Sequence, residues 1–217
     1  MSESQSVSDN NVPSKHALEH KWTIYEQVSL VDSVDKKEAY LNSYENICTF
    51  GTVETFWLNW TKLPSVSDLF YDGVEKEIIR IDTTNDIKTE KRYHILGQAI
   101  FKDDILPQYE DPANEKGGHI QVSLSHEAHQ QLGAFWETVV LSMIGETLEE
   151  GDEIVGARIL DKSNPRKKFA SYRVEIWFRD YENQKIKEEL KTKIEDFLVK
   201  NSISKGELKI KEHTSTW

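Results

Sequence analysis

Hydrophobic positions along the chain change period several times, and each change marks an element. Lys21-Trp-Thr-Ile-Tyr-Glu-Gln-Val-Ser-Leu30 sets apolar and aromatic residues close to alternate positions, the pattern of a strand. Residues 32 to 48 read as a polar loop with tyrosines at 40 and 44. Thr52 then offers an N-cap, and Val53, Phe56, Trp57, Trp60 and Leu63 follow helical spacing until Pro64 stops the run. Residues 65 to 90 are polar, with one short strand expected at Glu77–Asp82, and Arg92–Phe101 reads as a strand. A second helix, about Ser125 to Glu146, presents Ala128, Leu132, Phe135, Trp136, Val139, Val140, Met143 and Ile144 as a broad apolar face.

Gly151 opens a hairpin whose arms are Glu153–Leu160 and Phe169–Arg179. In the second arm Tyr172, Val174, Ile176 and Phe178 point one way, while Arg173, Glu175 and Trp177 point the other. A third helix, Gln184 to Lys200, carries its stripe at Ile186, Leu190, Ile194 and Phe197, and a last strand follows at Glu207–Glu212. This order of elements predicts an α+β chain with a largely antiparallel sheet and helices gathered on one face. Residues 1–14, rich in Ser, Asn and Asp, read as a disordered tail, leaving 15–217 as one domain.

Composition narrows the function classes. Hydrophobic content of 37% and charged content of 30% are ordinary for a globular protein. No apolar run approaches the roughly 18 to 20 residues that span a bilayer, and the N-terminus lacks the basic start and apolar core of a signal peptide. Cys48, the single cysteine, allows no internal disulfide and fits a reducing compartment, so a cytoplasmic or nuclear protein is expected. The net charge of −11 argues against a general grip on nucleic acid. Yet Ala157–Val174 holds six basic residues against Asp161 alone, a +5 island that leaves −16 on the remainder. Such an island holds a few phosphates and repels a long duplex.

Candidate chemistry concentrates in Phe101–Gly118. There Tyr109 directly precedes Glu110 and Asp111 on a proline-flanked loop, ahead of a double glycine and the strand-like His119–Leu124. An aromatic face beside a fixed carboxylate suits a flat, cationic, hydrogen-bond-donating ring, and a guanine methylated at its seventh nitrogen is one. An enzyme is not expected. His126 and His129 stand three apart at the polar start of a helix, which is not the zincin pattern, Cys48 has no base nearby in sequence, and no glycine loop for phosphate is present. No cofactor and no metal site are implied.

An ordered series of segments carries a resemblance. These are His16-Ala-Leu-Glu-His-Lys-Trp22, Phe50-Gly-Thr-Val-Glu-Thr-Phe-Trp57, Phe101 to Gly118, Phe135-Trp136, Ile144-Gly-Glu146, Gly156-Ala157 and Ile176-Trp177. Together they resemble the mRNA cap-binding translation initiation factor 4E family, as a divergent member. The resemblance implies a curved, mainly antiparallel sheet with three helices on its convex face, a cap slot on the concave side and a monomer that acts in the cytoplasm. It puts Tyr40 and Tyr109 where the family usually stacks two tryptophans on the methylated guanine. Glu110 then accepts the guanine's imide and amine protons, Trp177 meets the methyl group, and Lys162 and Arg173 clamp the triphosphate. Arg166, Lys167 and Lys168 are further candidates for phosphate or following nucleotides, and equally a solvated loop. His119 stands where arginine is frequent. On the back, His16, Val53, Trp57 and Leu141 match the surface that receives a tyrosine-and-leucine helical motif from scaffold factors and repressors. Three departures there concern partner choice: Ala17 for a proline, Glu137 for an apolar residue and Thr138 for an acid. Two alternatives to an initiation factor stay open, a cap-binding repressor and an interaction module of the same fold with weak or no cap binding.

Overall fold

The computed structural model describes residues 15–30, 44–82, 89–148, 151–200 and 208–213. Eight strands are described: β1 (Ala17–Leu30), β2 (Tyr44–Thr52), β3 (Ile78–Asp82), β4 (Thr89–Lys102), β5 (Gly118–Ser125), β6 (Ile154–Asp161), β7 (Ser171–Phe178) and β8 (Leu208–Glu212). They form one sheet in the order β2-β1-β4-β6-β7-β5-β8, with β3 pairing β4 off the path. Every described pairing is antiparallel. The helices are α1 (Val53–Trp60), the four-residue α2 (Val66–Leu69), α3 (Leu132–Ile144) and α4 (Gln184–Lys200).

The fold is the expected α+β arrangement. Its main core joins one face of the sheet, with Trp22, Ile24, Ile100, Ile120, Val174 and Ile176, to apolar stripes on the helices. Phe56 comes from α1, Leu69 from α2, Trp136 and Val140 from α3, and Leu190 and Ile194 from α4. A smaller cluster without helical residues covers the opposite face: Tyr25, Ala99, Phe101, Ile105, Val155 and Trp177. The strict alternation of β7 feeds both clusters, as the sequence pattern requires.

Several boundaries differ from the sequence reading. The expected loop 32–48 is strand from Tyr44 onward, because Tyr44–Cys48 pairs with Ile24–Gln27 of β1. Its polar side chains look out from a sheet edge, which masked the period. Tyr40 and the tail 1–14 lie outside the described residues. α1 begins as expected: the Thr52 hydroxyl accepts from the Thr55 amide at 3.2 Å, and the Thr55 hydroxyl accepts from the Thr52 amide at 3.2 Å. The second predicted helix divides into a 3-10 segment, His126–Gln131, followed by α3, since its first six residues are mostly polar and bury only Ala128. α2 went unread: Ser65, whose hydroxyl accepts from the Ser67 amide at 3.3 Å, caps a helix too short to show a period.

Gly156 determines how closely the second face can pack. It pairs with Phe101 across β4 and with Trp177 across β7 beside a register irregularity. A Cβ placed there would stand 2.5 Å from both the Ile100 carbonyl oxygen and the Phe101 ring. Gly156→Ala is therefore expected to destabilise by about 1–3 kcal/mol, measured as a lower urea midpoint with an unchanged slope. An unaltered midpoint would show that β4 and the Phe101 ring yield without strain.

Candidate functional site

The second face of the sheet is built around a buried ion pair. Arg158 on β6 and Glu175 on β7 are register partners, and the Arg158 Nε donates to Glu175 Oε2 at 2.7 Å. The same carboxylate accepts from the Trp177 indole at 3.2 Å and from Arg173 Nη1 at 3.4 Å. Arg158 spends its other donors on two phenols, the Tyr44 hydroxyl and the Tyr109 hydroxyl, both at 3.0 Å. Its guanidinium also lies 4.7 Å from the Trp177 ring centre. Burial alone would raise the Glu175 carboxyl, but the charge of Arg158, with that of Arg173, holds it well below the usual carboxylate range.

Aromatic rings close over this pair. Trp177 is fully buried: Phe101 meets it edge-on at 5.2 Å, Tyr109 stacks on it at 4.9 Å and 24°, and His213 leans on it at 4.2 Å. Tyr109 also stacks on His213 at 4.7 Å. The half-exposed Tyr109 thus lies flat across the tryptophan, its hydroxyl tied to Arg158.

The loop that carries Tyr109 separates two adjacent acids into two roles. Asp111 is a scaffold: its carboxylate accepts from the amides of Leu106 and Ala113, both at 2.9 Å. The buried Asn114 donates its amide to the carbonyls of Leu106 and Gln108, both at 2.8 Å. Glu110 stands exposed on the turn beside Tyr109. The structure therefore joins Tyr109, Trp177 and Arg173, all expected from sequence, around the Arg158–Glu175 pair, and sets Lys162 at the neck of the β6–β7 hairpin, where its amide donates to the Ser171 carbonyl at 2.8 Å. Desolvation, then the charges of Arg173 and Arg158, lower the Lys162 pKa. Arg166 and Lys168 lie beyond, on the exposed hairpin tip.

Sequence reasoning assigned no role to Arg158, Glu175, Tyr44 or His213. The signal for the first two was their pleat position: Glu175 shares the Trp177 side of β7, and a charge on a strand's covered face demands a partner. His213 had no such signal, because only the β5–β8 pairing carries it to the slot.

On the back, His16, Val53, Trp57 and Leu141 do not share one cavity. The His16 ring nitrogen Nδ1 sits 2.7 Å from a Glu54 carboxylate oxygen, and its carbonyl accepts from the Val53 amide at 2.9 Å. Trp57 is 39% exposed and, with Trp60, Leu63, Ala134 and Glu137, lines a cavity of about 420 Å³. Leu141 is half-buried against the main core. Glu137 has a local cause: it accepts the Trp60 indole proton at 2.8 Å. His129 approaches the Tyr172 hydroxyl at 2.8 Å, and among the described residues no group of His, Cys, Asp and Glu could hold a metal ion.

His119 and His213 predict a pH dependence. Burial lowers both to about 4; Glu175 opposes this for His119, and the Asn114 carbonyl opposes it for His213. Both are neutral in the fold, whereas the unfolded chain takes up protons below about 6.5. Stability is thus full above that value and falls as pH drops from about 6.5 toward 4, by on the order of 3 kcal/mol per histidine at most. His129, whose pKa desolvation also lowers, adds in the same direction. Urea midpoints are expected to decline from pH 7 to 4.5, with a shallower decline in His213→Asn. A flat profile in the wild type would contradict the neutral, buried assignment.

Comparison with known proteins agrees with this fold. The family model described as eukaryotic initiation factor 4E matches residues 17–216. The chain is 29% identical over 175 residues to eukaryotic translation initiation factor 4E of Candida albicans, covering 80% of this chain and 69% of the relative. It is 30% identical over 188 residues to factor 4E1 of Drosophila melanogaster, covering 85% of this chain and 58% of the relative. Ascaris suum eIF4E-3, solved in complex with an m7G cap, superposes with a TM-score of 0.68 at 20% identity over 94% of each chain. Caenorhabditis elegans eIF4E-3, in complex with the 4E-binding protein Mextli and a cap analog, gives 0.63 at 23% identity, over 92% of this chain and 94% of that one. With the family model matched over residues 17–216, nearly the whole chain, it belongs to the eukaryotic initiation factor 4E family.

Proposed function

We propose that this chain binds the 7-methylguanosine 5′ cap of mRNA in translation initiation. The observation that carries the reading is the composition of the slot: a half-exposed tyrosine, an exposed carboxylate beside it, a tryptophan beneath and two cations along the adjoining hairpin. In this reading Tyr109 and Tyr40 sandwich the methylated base, Glu110 accepts its imide and amine protons, Trp177 meets the methyl group, and Lys162 and Arg173 hold the triphosphate. Each step is non-covalent, and no cofactor takes part.

Tyr109 covers Trp177, so cap entry requires it to lift. The cost is one ring stack and one phenol hydrogen bond, together about 1–3 kcal/mol. A desolvated cation–π contact of about 2 kcal/mol and a charge-assisted hydrogen bond to Glu110 of about 1.5–3 kcal/mol offset it. An unmethylated guanine lacks the cation and forfeits the first of these, so the closed resting stack sharpens discrimination at some expense of affinity. Tryptophan-fluorescence titration is expected to show quenching by 7-methyl-GTP well before GTP, with Glu110→Ala removing measurable binding and Arg173→Ala losing salt sensitivity. Equal weak responses to both nucleotides would favour the second reading, an interaction module of the same fold, which the Tyr109–Trp177 stack supports.

On the helical face we read the Trp57 cavity as the seat of a helical segment from a scaffold factor or repressor, bound by the monomeric chain. A part-exposed tryptophan at a groove edge is the usual energetic anchor of such contacts. Glu137, committed to Trp60, makes one wall of the groove acidic, which favours partner helices carrying a cation. Trp57→Ala is expected to weaken a scaffold-derived peptide by at least tenfold while leaving 7-methyl-GTP titration unchanged. Undiminished peptide binding would place the partner elsewhere.

A further inference from the structure

Half of the chain's tryptophans line one cavity on the helical face. Trp57 and Trp60 come from α1 and Trp136 from α3; with Leu63, Ala134 and Glu137 they bound about 420 Å³. A spacing of three residues puts Trp57 and Trp60 on one side of their helix. Each indole has a neighbour that fixes it. The fully buried Phe56 stacks on Trp60 at 5.4 Å and 26° and meets Trp57 edge-on at 4.9 Å. Trp60 donates its indole proton to Glu137 at 2.8 Å, and Trp136 donates its own to Gln98 Oε1 at 2.6 Å.

The wall pairs those rings with a negative charge. Glu137 is half-buried, its hydrogen-bond partner is a neutral indole, and among the described residues no cation pairs with it. Indole is the side-chain ring that attracts a cation most strongly over its face. An organic cation therefore suits the cavity better than a neutral apolar group of the same shape.

Hydrogen-bond supply decides which cation. The Ser65 hydroxyl already accepts from the Ser67 amide at 3.3 Å, the Thr61 hydroxyl donates to the Trp57 carbonyl at 2.8 Å, and Gln98 Oε1 holds Trp136. An indole can only donate, so the Gln98 amide is fixed with its nitrogen on the other side. That buried Nε2, which also lacks a hydrogen-bond partner among the described residues, is a further donor. A lysine ammonium brings three N–H groups and a guanidinium five. Either would leave water for a wall whose polar side chains are mostly engaged, and unmet donors are costly. A trimethylated ammonium has no N–H to satisfy, and its methyl groups carry the charge against the ring faces.

We propose that this cavity is an aromatic cage for a methylated ammonium, supplied by a methylated lysine on the partner segment. The cage comprises Trp57, Trp60 and Trp136, with Glu137 as its counter-charge. This inference deepens the helical-face reading and rests on it for the source of the lysine.

The test titrates N-acetyl-trimethyllysine amide, N-acetyl-lysine amide, choline and 3,3-dimethylbutanol, the uncharged counterpart of choline, into the full chain. The indole N–H resonances report where each binds. Trimethyllysine should shift Trp57 and Trp60, bind at least tenfold tighter than lysine, and be unaffected by saturating 7-methyl-GTP. The alcohol should give no response. Glu137→Gln keeps an acceptor for Trp60 and should weaken trimethyllysine roughly 5- to 30-fold, the range of a cation–ring contact. Equal responses to lysine or to the alcohol would overturn the cage and leave a general apolar groove. Shifts centred on Trp177 and abolished by 7-methyl-GTP would overturn it in favour of the slot. Choline binding tenfold tighter than trimethyllysine would overturn the lysine assignment in favour of a free small molecule. A scaffold-derived peptide that still needs Trp57 while trimethyllysine fails would overturn the cage alone and keep the helical seat. Trimethyllysine binding without any peptide binding would support the cage and remove the seat.

Discussion

The buried pair of Arg158 and Glu175 is the constraint on which the slot depends. Two charges out of water cost several kcal/mol each after relaxation, and only mutual attraction with complete hydrogen bonding offsets that cost. Here Arg158 reaches Glu175, Tyr44 and Tyr109, while Glu175 reaches Arg158, Arg173 and the Trp177 indole. Satisfying the pair therefore orients Tyr109, Trp177 and Arg173 at once. Removing either partner would strand a charge in the fold, a loss of about 3–5 kcal/mol.

The sheet distributes its work by pleat alternation. In β7, Tyr172, Val174 and Ile176 hold the helices, whereas Arg173, Glu175 and Trp177 make the slot. The same sheet thus carries the helices on one side and the Arg158–Glu175–Trp177 layer on the other. Gly156 lets the slot side pack tightly enough to bury Trp177, and the β5–β8 pairing delivers His213 to its rim. Two buried neutral histidines against a buried ion pair make this layer, rather than the main core, the acid-sensitive part of the molecule.

Much of this was legible in the sequence because the signals were local. The alternation of β7, the Thr52 cap, the helical stripes and the Tyr109–Glu110 loop each sit within a dozen residues. The resemblance to the 4E family rested on those same segments, and the family match extends it to residues 17–216. What escaped was non-local or masked by polarity. β2 hid in a polar edge, α2 was too short for a period, and the first turns of the second predicted helix lacked the apolar stripe that would have made them α-helical. Arg158 sat in the counted basic island as one cation among six, although its buried partners make it a structural charge instead of a phosphate ligand. Asp111 and Glu110 looked equivalent as neighbours, and only the loop's amides distinguish scaffold from candidate reader.

We propose that the methylated guanine takes over the contacts Tyr109 now makes with Trp177. A crystal structure of the chain with 7-methyl-GTP tests it most directly. In that complex the 4.9 Å stack between Tyr109 and Trp177 is expected to open, the base to lie against Tyr109 with its methyl group on the Trp177 side, and the Arg158–Glu175 bond to persist. A bound nucleotide that leaves Tyr109 stacked on Trp177, or that sits elsewhere on the sheet, would contradict it.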